Sequence, residues 1–158
     1  MTVQHTISCG GANCIVEEQD IVYREAAAPG AKTPPPKRHE AEAQWSEPFT
    51  PDAPLLFRYS ALTFNGHRIH YDKPYACEEE GYPDLVVQGP LTATLLQKFA
   101  VQNGGGRQLA KFDFRGVNPL FVTKAFSLEA SKENDTTLNV WARGPEGQLS
   151  MSATAIFR

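Results

Sequence analysis

The apolar positions of the chain change period twice, and the changes divide it into elements. Behind Thr50 and Pro51, the residues Leu55, Leu56, Tyr59 and Leu62 recur at helical spacing. This predicts a helix capped by Thr50, with Pro51 at its first position and Gly66 as its stop. Asp72 is placed to cap a short helix over 73–80 that Gly81 ends. A wider apolar face, Leu91, Leu95, Leu96, Phe99 and Ala100, then follows Gly89-Pro90 and runs to Gly104-Gly105-Gly106, which predicts the long helix of the chain. Beyond the three glycines the period becomes two. Strands are predicted over 109–117, 122–130, 136–143 and 148–157, divided by Asn118-Pro119, Asn134-Asp135 and Gly144-Pro145-Glu146-Gly147. Ala110, Phe112 and Phe114 alternate with Lys111, Asp113 and Arg115, so one face of the first of these strands is expected to be buried. A helix too apolar to be solvated, followed by an antiparallel meander, places the chain in the α+β class, with the sheet wrapped around that helix.

The amino-terminal part reads separately. Strand patterns over 2–8 and 14–23 flank Gly10-Gly11-Ala12-Asn13, a hairpin signal, and 41–49 carries the first strand of the following unit. Between them the Pro- and Ala-rich run 26–40 has almost nothing to bury and reads as an extended linker. The expected division is therefore a hairpin at 1–25, a linker at 26–40 and a domain at 41–158. The run from Thr6 to Arg24 can be laid without a gap on Val140 to Arg158, strand on strand and turn on turn. If that repeat is real, the first hairpin is the closing hairpin of a second, upstream unit. The alternative is that two hairpins simply alternate alike.

Composition narrows the function classes. The length of 158 residues suits one domain with a real core. A net charge of -3 leaves no excess of Lys and Arg to hold phosphates, so no nucleic-acid partner is expected. No apolar run approaches the roughly 20 residues of a membrane span, and Met1 to Ser8 lacks the features of a secretory leader, so the expected place is the cytoplasm, away from membranes. Cys9, Cys14 and Cys77 are odd in number and have no metal-type spacing, which predicts free thiols and no metal. Glu78, Glu79 and Glu80 beside Cys77 disfavour a thiolate.

The candidate chemistry is crowded into one stretch. Asn65, His67, Arg68, His70 and Asp72 follow directly on the first helix, and all can donate, accept or move a proton. The run Phe64-Asn65-Gly66-His67-Arg68-Ile69-His70-Tyr71-Asp72 resembles the signature of the MaoC-like, or R-specific enoyl-CoA hydratase, family, Ser-Gly-Asp-x-Asn-Pro-(Leu/Ile)-His-x-Asp. Its closer likeness is to the branch of mesaconyl- and itaconyl-CoA hydratases and hydroxyacyl-thioester dehydratases. The likeness continues through Glu80-Gly81-Tyr82-Pro83-Asp84-Leu85-Val86-Val87-Gln88-Gly89-Pro90-Leu91.

The resemblance implies a hot-dog fold and a hydro-lyase that adds or removes water across the double bond of a short enoyl or 3-hydroxyacyl thioester, dicarboxylic acyl groups included. It implies no cofactor beyond the coenzyme A of the substrate itself. His70 stands at the family's catalytic His and Asn65 at its catalytic Asp; His70 is then the base, and Asn65 orients water through its amide oxygen. Gly89, at the start of the long helix, would stabilise an enolate with its backbone N–H, or is simply a tight turn. Arg68 binds a substrate carboxylate or pairs with Asp72, and His67, Tyr71 and Gln88 complete the expected substrate contacts. Gln88 stands where the family commonly has His. The partners implied are an acyl-CoA or other acyl thioester and a second hot-dog unit, as a homo-oligomer or a partner subunit. Longer members of the branch carry two units in tandem, so the chain is expected to be either the carboxy-terminal portion of a double hot dog or a short form. Two rival readings remain, a non-catalytic thioester-binding or structural half and a hot-dog thioesterase.

Overall fold

The computed structural model describes residues 1–23, 36 and 38–158, so most of the expected linker lies outside the described residues. The chain divides into two compact units, Met1–Pro34 and Pro35–Arg158. In the first, β1 (Thr2–Cys9) and β2 (Ala12–Asp20) pair antiparallel. Gly10 and Gly11, at φ 57° and 81°, form the two-residue turn between them, whose left-handed positions suit glycine. Every residue of both strands except Val3 is exposed.

The second unit is a five-stranded sheet in the order β3-β5-β6-β7-β4 with antiparallel neighbours throughout. Its elements in chain order are β3 (Trp45–Phe49), α1 (Ala53–Leu62), a 3-10 turn (Arg68–His70), a π-helical turn (Tyr75–Glu79), α2 (Gly89–Asn103), β4 (Leu109–Gly116), β5 (Phe126–Asn134), β6 (Thr137–Arg143) and β7 (Leu149–Phe157). Helix α2 packs on β4, β5, β6 and β7. Its buried face, Leu91, Leu96, Phe99 and Ala100, meets an inner sheet face of Leu128, Leu138, Val140 and Phe157. Ala130, Ala142, Ala153 and Ala155 intersperse that face, and side chains so small let a helix lie close to the strands.

The other face of the sheet carries a polar cluster. The buried Glu129 carboxylate accepts from Trp141 Nε1 at 2.7 Å, Arg143 Nε at 2.8 Å and Ser127 Oγ at 2.6 Å. Burial alone would raise the Glu129 pKa, but the bonds from Ser127, Arg143 and Trp141 together hold it below its ordinary value. The Arg143 guanidinium reaches on to the carbonyls of His39 and Ala41, and His39 N–H donates to the Gly147 carbonyl at 2.9 Å. The strap from Arg38 to Ala41 therefore belongs to the second unit, and the expected boundary at 41 moves back toward Pro35.

Several local features depart from the sequence pattern. The N-cap of α1 is Asp52, whose Oδ1 accepts the Leu55 N–H at 2.8 Å; Thr50 lies too far upstream because Pro51 is buried ahead of the helix. Its stop is Thr63 and Phe64 instead of Gly66, with Phe64 at φ 54°. Leu62 is exposed, so the apolar stripe ends at the partly buried Tyr59, with Ser60 the last buried residue of the helix. The strand expected over 122–130 begins only at Phe126, because Leu120, Phe121 and Val122 bond instead to the segment 85–87. Phe114 is 54 % exposed, and Ala110, left without a partner at the bulge between Leu109 and Lys111, is exposed, so the edge strand β4 buries neither side chain. The two hairpins also differ in register. Thr6 pairs with Val16, which a gap-free overlay carries to Val140 and Ser150, yet Val140 pairs with Ala153 because the turn after Arg143 is longer.

A sensitive point of the core is the end of α2. A Cβ on Gly104 would stand 2.5 Å from the buried Phe157 ring. Gly104→Ala should destabilise the fold by about 1–3 kcal/mol through overpacking, read as a lower thermal midpoint, and an unchanged midpoint would contradict this packing.

Candidate active site

The site is built from two arms that meet one central segment. The first arm is the end of α1. Thr63 N–H and Oγ1 both donate to the Tyr59 carbonyl, at 3.0 and 2.8 Å, which closes the last helical turn. The chain then passes through the left-handed Phe64 and returns, with Asn65 N–H donating to the Ser60 carbonyl at 2.9 Å. Asn65 Oδ1 accepts the His67 N–H at 3.1 Å, a local turn that Asn favours. One lone pair of the amide oxygen is thus engaged, which leaves its second lone pair and the Nδ2 donors as the groups Asn65 can present.

The second arm is the turn Arg68–His70. Tyr71 Oη donates to the Gly66 carbonyl at 2.8 Å and Arg68 is locked on Asp72, so the loop 66–72 is closed on itself. His70 is buried, and its Nδ1 lies 2.7 Å from the Val86 carbonyl oxygen. A carbonyl only accepts, so Nδ1 carries the proton and Nε2 of the neutral ring carries the lone pair. Burial pushes the His70 pKa below its ordinary 6.5; the Val86 bond opposes this, and the neighbouring His67 adds to it. The two rings meet edge to face at 5.6 Å between centroids.

Both arms converge on 84–89. Val86 N–H donates to the Ile69 carbonyl at 3.0 Å, and the Asp84 carboxylate, buried, accepts from Lys73 Nζ and from Leu85 N–H, each at 2.7 Å. Gln88 is fully buried, and its Nε2 donates to the Leu56 carbonyl at 2.8 Å and to Ser60 Oγ at 3.0 Å, tying this segment to α1. Gly89 opens α2 as an exposed residue, and a Cβ there would meet nothing within 4 Å, so its backbone is approachable at the positive end of the helix. Beside the first arm is a cavity of about 320 Å³ lined by Phe57, Ser60, Ala61, Phe64, Asn65, Gly66 and Tyr71.

These positions revise part of the expected set. Gln88 is not a surface contact; it has no exposed area, and both its bonds go to α1. Arg68 pairs with Asp72 in the structure, one of the two roles open to it. Nε and Nη2 lie 3.0 and 2.7 Å from one Asp72 oxygen, and the guanidinium sits over the Tyr75 ring at 4.1 Å. Asp72 is held below its ordinary pKa by that bond first and by the Tyr75 N–H second, so it caps the following turn as well. Asn65 and Tyr71 line the cavity, and His67 is exposed against His70. Ser60 and the Val86 carbonyl were missed. Ser60 was legible as a polar residue one turn after Leu56 on the buried side of α1, whereas a backbone carbonyl leaves no mark in sequence. No helix among the described residues is long and apolar enough to cross a membrane.

An antiparallel sheet packed on one long helix is the hot-dog fold. The (R)-hydratase from A. caviae shares it, with a TM-score of 0.61 over 75% of this chain and 97% of its own, at 19% identity. The family model for hydroxyacyl-thioester dehydratase type 2 matches residues 1–122, and the chain belongs to that family. Among its relatives, a mesaconyl-C(4)-CoA hydratase from Chloroflexus aurantiacus is 48% identical, covering 89% of this chain and 50% of the relative. A mitochondrial hydroxyacyl-thioester dehydratase type 2 from Schizosaccharomyces pombe is 36% identical, covering 81% of this chain and 41% of the relative. The chain thus spans about half or less of the length of these curated relatives.

The lowered pKa of His70 gives a titration with a definite sign. A group whose folded pKa lies below its unfolded value adds stability that is complete above the unfolded value of 6.5 and is lost as pH falls through the folded one. NMR titration of the His70 ring should give a midpoint below 6.5, and a midpoint at or above 6.5 would contradict the buried, neutral ring described here.

Proposed function

We propose that the chain carries the catalytic half-site of a hydro-lyase, which hydrates a short enoyl thioester or dehydrates the corresponding 3-hydroxyacyl thioester. The observation that carries this reading is the buried His70, whose Nδ1–H is spent on Val86 so that Nε2 is the basic atom. In hydration, Nε2 takes a proton from a water oriented by Asn65 as the water oxygen adds to the β-carbon. Negative charge moves to the thioester oxygen, where the Gly89 N–H and the positive end of α2 oppose it. The imidazolium then returns the proton to the α-carbon, and dehydration runs the same steps in reverse.

The substrate class of this reading is an acyl-CoA or other acyl thioester, with coenzyme A present only as part of the substrate and no separate cofactor. The likeness to a mesaconyl-C(4)-CoA hydratase supports dicarboxylic acyl groups among the candidates. In that case Arg68, exposed and paired with Asp72, is the cation the loop 66–72 offers to a carboxylate. Phe57 at 61 % and Phe64 at 96 % exposure flank the cavity, which supports a second hot-dog unit, from another copy or a partner subunit, as the cover of the site. The same need for cover applies to the exposed hairpin β1–β2, which we read as adding to a further sheet edge. The charge balance fits an aqueous compartment, the cytoplasm in our reading, while the yeast relative is named mitochondrial.

The assay follows the ultraviolet absorbance of an enoyl-CoA. Its loss on hydration supports the reading, release of free thiol identifies a thioesterase, and neither identifies a binding half. His70→Ala should lower turnover by roughly two to four orders of magnitude with the fold intact, and retained turnover would remove His70 from the role of base. Asn65→Ala should cost less than His70→Ala, and Asn65→Asp should stay active. A folded but inactive Asn65→Asp would show that a carboxylate cannot serve at this position.

A further inference from the structure

Gln88 has features that packing alone does not explain. It has no exposed area, its Nε2 makes two bonds across to α1, and its Oε1 is buried without a partner. An unpaired buried oxygen costs about 1–3 kcal/mol, so a residue selected for stability alone at this place would be apolar. What the side chain does instead is geometric. Leu56 and Ser60, its two acceptors, stand one turn apart on α1, and the Ser60 carbonyl accepts the N–H of Asn65. The backbone of Gln88 caps α2 and is followed directly by Gly89, while its own carbonyl accepts from Thr92 N–H at 3.1 Å and from Thr92 Oγ1 at 3.3 Å. A single buried amide therefore joins the Asn65 arm to the start of α2. The His70 arm reaches the same segment by a separate route, through Val86.

We propose that Gln88 is a positioning residue, which sets the place of Asn65 relative to the Gly89 N–H through the chain Gln88, Ser60, Asn65. This rests on the hydro-lyase reading given above. Water held by Asn65 and charge gathered at Gly89 act on the β-carbon and the thioester oxygen of one rigid conjugated group, so their separation decides how well both are served at once. A displacement of about 1 Å at such a site costs on the order of a hundredfold in rate.

Gln88→Met keeps the length of the side chain and removes both polar ends. With the full chain and crotonyl-CoA as the probe, the expected result is a kcat about 10- to 100-fold lower per folded molecule, with KM changed by less than about threefold. The acid limb of the pH profile should not move, because His70 hangs from Val86. Ser60→Ala, which removes one acceptor and leaves the Leu56 carbonyl, should give a smaller loss in the same direction. The double variant should lose less than the two effects combined, because they share one bond. Amide exchange supplies a readout free of the assay. Asn65 and His67 N–H should exchange more than about tenfold faster in Gln88→Met, while Val86 N–H keeps its protection. Unchanged kcat and unchanged Asn65 exchange, with only a shifted thermal midpoint, would overturn the proposal. If the wild-type chain hydrates neither crotonyl-CoA nor a dicarboxylic enoyl-CoA such as a mesaconyl thioester, the functional reading fails, and the exchange pattern alone decides whether Gln88 positions Asn65. Should Gln88→Met not fold, Ser60→Ala carries both readouts.

Discussion

One hydrogen bond, from His70 Nδ1 to the Val86 carbonyl at 2.7 Å, settles what the imidazole can do. It chooses the tautomer, fixes the ring and leaves Nε2 as the basic atom, at a place where burial has already disfavoured the charged form. The bond is only as rigid as Val86, and Val86 is held on every side. Its own N–H goes to Ile69, Val87 N–H goes to Leu120 at 2.8 Å, and Val122 N–H goes to Leu85 at 3.1 Å. The segment 85–87 thus works as a short added strand that belongs to no sheet. The strand expected over 122–130 starts late because its first residues are committed there.

Stability is given up around the site in two identifiable places. Phe64 holds a left-handed backbone that an aromatic residue enters at a cost of about 1–3 kcal/mol, and its ring is almost wholly exposed. Gln88 keeps an unpaired oxygen in the core. Neither residue belongs to the apolar contact between α2 and the sheet. Both lie beside Asn65, one preceding it in the chain and the other bonded to the serine that holds its N–H. Strain placed in this way fits a loop whose shape matters more than its ease of folding.

The sequence made the large elements legible because each has a period. Helix α2 could be bounded from Gly89-Pro90 and the triple glycine, and the strands β6 and β7 fell within a residue or so of their observed limits. What failed to show was anything settled by a single bond across the fold. Asp52 outcompeted Thr50 as the cap of α1 because Pro51 is buried in the core and the turn starts after it. The alternation of β4 promised a buried face, but this edge strand leaves Phe114 exposed and drops Ala110 from the pairing at a bulge. At the site, the crowding of polar residues between 65 and 72 marked the place, while the pairing of Arg68 with Asp72 depended on loop geometry. The two histidines of that run look alike in sequence. Only the fold buries His70 and leaves His67 outside.

The chemistry open to His70 therefore depends on where one proton sits. Nitrogen NMR of the His70 ring at neutral pH, in the unmodified chain, reads it directly. The expected result is a neutral ring with Nδ1 protonated and Nε2 bare, with the Nδ1 proton shifted by its bond to a carbonyl. A ring protonated on Nε2 alone, or on both nitrogens at neutral pH, would contradict it.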